Sequence, residues 1–111
     1  MHFCFTGQYT PQALNGMMDN PTVNRFEAAK KVIEAAGGNL ISMYGVPANG
    51  PGVMVIFEAP DQTAASAVST VVVASGGLQD VKLTRLIAHE ELMQIRQKAS
   101  QIRGAFKPPG K

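Results

Sequence analysis

His2, Cys4, Thr6 and Gln8 occupy every second position at the start of the chain, the spacing that sets side chains on one face of a β-strand. Neighbours at i and i+2 stand about 7 Å apart, so the His2 imidazole is near the Cys4 thiol without being held to it. A nucleophilic cysteine needs a base beside it to form the thiolate. The expected role of Cys4 is the commoner one, a small buried hydrophobe. The same alternation adds Ser42 and Tyr44 from segment 39–46 and Thr84 from segment 78–88. These donors and acceptors sit among Leu40, Met54, Ile56 and Leu86. Such a set describes either a mostly apolar small-molecule pocket with a few polar groups or the polar trim of an interface. The interface is the stronger expectation. Ligand contacts, if a pocket forms, would come from Gln8 and Tyr44, with Cys4, Thr6, Ser42, Thr84 and His2 around them.

Other constellations carry less. His2 and His89 are far apart, and His89-Glu90-Glu91 has no second histidine one turn on, so no metal site is expected. The two acids suit a helix start instead. Gly37-Gly38 and Gly76-Gly77 follow helical patterns, which makes them helix ends and not phosphate-cradling loops. No cofactor is called for. Arg85 alternates onto the opposite face from Thr84, where a salt bridge to Glu58 or a helix carboxylate is its expected role.

The elements that must position these residues follow from periodicity. Segment 2–9 alternates Phe3 and Phe5 against polar residues and reads as a strand. Thr10-Pro11 caps and opens a short helix reaching about Met18. Asn20-Pro21 repeats that signal, so a second helix is expected from Pro21, with Val23, Phe26, Ala29, Ile33 and Ala36 as its buried stripe. Segments 39–46 and 53–58 read as antiparallel strands joined by the turn-rich Pro47-Ala-Asn-Gly-Pro-Gly52. Asp61 caps a further helix with Ala64, Ala65, Val68, Val71 and Val72 inward, although the β-branched run Val68–Val73 disfavours helix modestly. Segment 78–88 is the last strand, and 89–102 an amphipathic terminal helix. The order βαββαβ with right-handed crossovers predicts an α+β, ferredoxin-like domain over residues 1–103. Its four-stranded antiparallel sheet has the first and third strands central and two helices on one face, plus the C-terminal helix. Residues 104–111 read as a disordered tail.

Composition narrows the function classes. The 111 residues are 45% hydrophobic and 16% charged, as in a soluble one-domain protein. No apolar run is long enough to span a membrane, no signal peptide is apparent, and the single cysteine fits a reducing compartment such as the cytoplasm. The net charge of +2 is unevenly placed: residues 1–95 carry five bases and eight acids, residues 96–111 five bases and no acid. The basic tail is expected to be solvated, and nucleic acid is not an expected partner.

Two helices cover one face of such a sheet, and a face left in water should alternate apolar with polar residues. Val53-Met-Val-Ile-Phe57 is apolar on both faces. Each such side chain left in water forgoes roughly 1.5–3 kcal/mol of burial. The terminal helix or a second copy must cover it, and the second copy is favoured, giving a homodimer or higher homo-oligomer.

These residues resemble a known family, the GYD-domain proteins, small bacterial proteins of uncharacterised function related to the dimeric α/β-barrel group. The resemblance rests on Tyr9-Thr-Pro11, Arg25-Phe-Glu-Ala-Ala-Lys-Lys-Val-Ile-Glu-Ala-Ala-Gly-Gly38, Val53-Met-Val-Ile-Phe-Glu-Ala-Pro-Asp61 and Thr84-Arg-Leu86, with consistent spacing over about residues 3–92. It implies the ferredoxin-like fold and assembly through sheets. The Gly-Tyr-Asp signature falls at Gly50-Pro51-Gly52, so only its glycine survives. By analogy with relatives on this fold, the alternative to an assembling or ligand-binding domain is a cofactor-independent enzyme, monooxygenase- or isomerase-like. It would act on a small apolar or aromatic compound, with Tyr44, Gln8 and His2 as its groups.

Overall fold

In a computed structural model, which describes residues 1–110, the alternating N-terminal segment forms β1 (His2–Tyr9). It is followed by α1 (Pro11–Asp19), α2 (Arg25–Ala35), β2 (Asn39–Val46), β3 (Gly52–Glu58), α3 (Gln62–Ala74), β4 (Leu78–Leu86) and α4 (His89–Ile102), then a 3-10 turn at Arg103–Ala105. The strands form one sheet in the order β2-β3-β1-β4, with every neighbouring pair antiparallel. This is the ferredoxin-like α+β arrangement, with β1 and β3 central as expected.

Side-chain oxygens start the first three helices. Thr10 Oγ1 accepts from the Ala13 N–H and itself donates to the Gly76 carbonyl, tying α1 to the end of α3. Asn24 Oδ1 accepts from the Glu27 N–H at 3.0 Å, and Asp61 Oδ1 from the Ala64 N–H at 2.8 Å. The Asn24 cap corrects one expectation: α2 begins at Arg25, not at Pro21. Residues 20–23 form a turn closed by Val23 N–H to the Asn20 carbonyl, which leaves Val23 outside the helix and exposed. The valine-rich α3 is helical because its cap and its packed face outweigh a modest β-branched penalty.

The core lies between the sheet and α2 and α3. Phe3, Phe57 and Ile33 are its largest fully buried side chains, and the Phe3 and Phe57 rings stack with centroids 5.7 Å apart. Gly37 ends α2 with φ 86°, and Gly38 then passes so close to β3 that an added Cβ would sit 2.0 Å from the Glu58 carbonyl oxygen.

Two register shifts and one unfilled gap depart from simple alternation. On β2, Leu40 pairs with Phe57 and Ser42 with Ile56, so two residues span one step of β3 and Ile41 is the extra residue of a bulge. Leu40, expected on the open face, therefore packs against the core. On β4 the register shifts opposite Gly7, where Asp80 takes φ 52°, a conformation aspartate tolerates better than most residues. In the helix layer, Phe26 of α2 and Val71 of α3 are exposed instead of buried, Val71 at the edge of a gap between the two helices.

The terminal helix is set apart from this body. Every residue of α4 except Glu91 is exposed, and the Cα radius of gyration is 18.2 Å with a longest extent of 61 Å. A compact chain of this size would have a radius near 13 Å, so α4 projects as an arm and does not cover the sheet.

Candidate functional site

Strand pairing orders the expected residues on the open sheet face into rows. One row runs Thr84, Cys4, Ile56, Ser42 from β4 to β2; the next runs Lys82, Thr6, Met54, Tyr44. On the other side of the first row lies Leu86, His2, Glu58, Asn39. Alternation therefore places Cys4, Thr6, Ser42, Tyr44, Thr84 and His2 on the same face. Cys4 is a half-buried free thiol between Thr84 and Ile56.

Within that face the polar groups are dispersed. His2 Nε2 lies 3.2 Å from Glu58 Oε1, so the imidazole already has a partner on the adjacent strand. Gln8 donates its amide to the Asn49 carbonyl in the β2–β3 connection. Tyr44 is 59% exposed on the outer strand, separated from β1 by β3, and two strand spacings come to about 9.6 Å. His2, Tyr44 and Gln8 thus stand in three different surroundings. Thr6 and Gln8 do share a cleft of about 450 Å³ with Asn49, Asp80 and Lys82 at the loop end of the sheet. Arg85 faces the helix side, and its guanidinium meets Glu91 of α4 at 2.7 Å. That contact anchors the first turn of the projecting helix to the edge strand.

A more apolar cavity is on the other side of the sheet. Where α2 and α3 diverge, a space of about 210 Å³ reaches down to Phe5, Val53 and Val55. Small residues create it: Ala28 and Ala29 line the α2 wall, where larger side chains would fill the gap. Arg25 and Tyr9 also line it. Both recur in a cleft of about 360 Å³ beside α1, together with Val72, Ser75 and Leu78. The alternation argument missed this site because it sorts strand residues by face and says nothing about the spacing of two helices. The visible signal was the small Ala29 in the stripe of α2, next to Ala28.

No helix is long and apolar enough to cross a membrane among the described residues. Among solved structures, the chain is similar to 5-chloro-2-hydroxyhydroquinone dehydrochlorinase from Burkholderia phenoliruptrix, in complex with 2,5-dihydroxybenzoquinone. The identity is 17% and the TM-score 0.48, over 82% of this chain and 98% of that one. No curated protein matches the chain. The family model described as the GYD domain matches residues 3–95, most of the chain and all four strands, and the protein therefore belongs to the GYD-domain family.

Proposed function

We propose that this domain is a self-assembling module that packs its open sheet face and α4 against a second copy. One observation carries the reading: the face bearing Met54 and Ile56 of central β3 has no element of its own chain over it, while α4 projects from the body with its apolar residues exposed. Leu92, Ile95 and Ile102 recur along α4 at helical spacing and are all exposed. An amphipathic helix gains little from standing alone in water, since its stability comes mainly from packing its apolar face.

Area supports a second copy as the occupant. Four strands of about eight residues present a face of about 500 Å², less than the roughly 800 Å² per partner of a standard interface. The apolar side of a four-turn helix adds about 200 Å², which brings the combined surface close to that size. Ser42 and Thr84 of the outer strands would then be polar trim, Cys4 and Thr6 would sit beside Ile56 and Met54 at the centre, and the Gln8 end of the cleft would lie at the rim of the assembled face.

Light scattering at micromolar concentration should give a dimeric or larger mass. Ile56→Arg, which places an unpaired charge at the centre of the face, should return the protein to monomer with an unchanged circular dichroism spectrum. A monomeric mass for the unaltered protein would overturn the reading.

A further inference from the structure

The cavity between α2 and α3 has a different chemistry from the open face. Its floor is core: Phe5, Val53 and Val55 are each less than 10% exposed and yet line it. It opens to solvent, and at about 210 Å³ it has more room than the roughly 150 Å³ enclosed apolar cavity that admits benzene. It is smaller than the cavities that hold drug-sized ligands, roughly 300 Å³ upward. A single ring or a short branched chain with one small substituent matches that space.

The charge at the cavity identifies the substituent. Arg25 is the one charged residue lining it. Among the described residues its guanidinium has no carboxylate partner: the ion pairs join His2 to Glu58, Lys30 to Glu34 and Arg85 to Glu91. A planar guanidinium beside an apolar space matches a carboxylate better than any neutral group, because it donates two parallel N–H bonds to the two oxygens. The Tyr9 phenol, on the same lining, supplies a further donor. An approach exists as well, since the cleft beside α1 shares Tyr9, Arg25, Val72, Ser75 and Leu78 with the cavity.

We propose that this cavity binds a small apolar monocarboxylate, with its ring or branched chain against Phe5 and Val55 and its carboxylate on Arg25. The site is separate from the assembling face and does not depend on it. The test titrates the full-length protein with sodium benzoate and with benzyl alcohol, following methyl resonances by NMR. Saturable shifts are expected at Val55, Val68 and Val72, with benzoate at least about fivefold tighter than the neutral alcohol. Arg25→Gln alters an exposed residue and should keep the fold. It should weaken benzoate at least about tenfold, since the paired charge-assisted hydrogen bonds of the guanidinium are lost, and leave benzyl alcohol unchanged. Ala29→Phe should fill the space and abolish both. Shifts confined to other parts of the molecule, equal affinity for the two probes, or an Arg25→Gln variant that binds benzoate as before would each overturn the proposal. Ile56→Arg should bind benzoate normally, which separates this outcome from that of the assembly test.

Discussion

Gly38 shows how tightly single residues are specified where α2 hands over to β2. Its N–H donates to the Ile33 carbonyl at 3.0 Å, completing the helix end, while its missing side chain lets β3 approach. A methyl group here would meet backbone, not a flexible side chain, and backbone at the sheet cannot retreat cheaply. Gly38→Ala should cost about 3 kcal/mol, the upper range for overpacking, read as a lower urea midpoint. The Gly37-Gly38 pair announces a helix end in the sequence, but the steric reason for the second glycine does not, because Glu58 is twenty residues away along the chain. Cys4 illustrates the converse. Its strand and its face follow from alternation, and its place between Thr84 and Ile56 follows only from the registers of β1 with β4 and β3.

Among the elements, α4 carries the clearest consequence. Its range, His89–Ile102, and its acidic first turn match the periodic reading, since amphipathic spacing and end charges are local properties. Its position is not local. The Arg85–Glu91 contact fixes its start and leaves the stripe Leu92, Ile95 and Ile102 in solvent. The double variant Leu92→Asp, Ile95→Asp should leave the far-ultraviolet dichroism of the body intact and weaken self-association at least about tenfold by sedimentation, because both residues lie outside the core. Equal association would remove α4 from the interface. The bulges at Ile41 and Asp80 are the other element-level lesson. Each changes which face the residues on its two sides share, and neither has a sequence signal as distinct as a proline or a glycine pair, so Leu40, just before the Ile41 bulge, lies on the core side against simple alternation.

For the whole molecule, the uneven charge and the uneven packing have separate consequences. Arg96, Lys98, Arg103 and Lys107 extend along α4 and beyond it, away from an acidic body, with no aromatic residue exposed on the central strands for bases to stack on. Deleting residues 104–111 should leave the affinity for a single-stranded oligonucleotide unchanged at physiological salt, measured by fluorescence anisotropy. The apolar surplus acts elsewhere. A molecule with a 61 Å extent and a projecting amphipathic helix leaves the open sheet face and the stripe of α4 uncovered by its own chain, and the cavity between α2 and α3 lies on the opposite side of the sheet from that face.

By itself the sequence determined the element order, the helix caps at Thr10 and Asp61, the central position of β1 and β3, and the excess apolarity of Val53–Phe57. These follow from periodicity, turn chemistry and connection handedness, each of which acts over a few residues or through simple topology. Tertiary structure alone decided that α4 leaves the sheet uncovered, that His2 pairs with Glu58, that Leu40 turns inward, and that α2 and α3 leave Val71 exposed and an open apolar cavity beside Arg25. Those outcomes depend on strand register and on the distance between two packed layers, which arise from the simultaneous fit of residues remote in the chain.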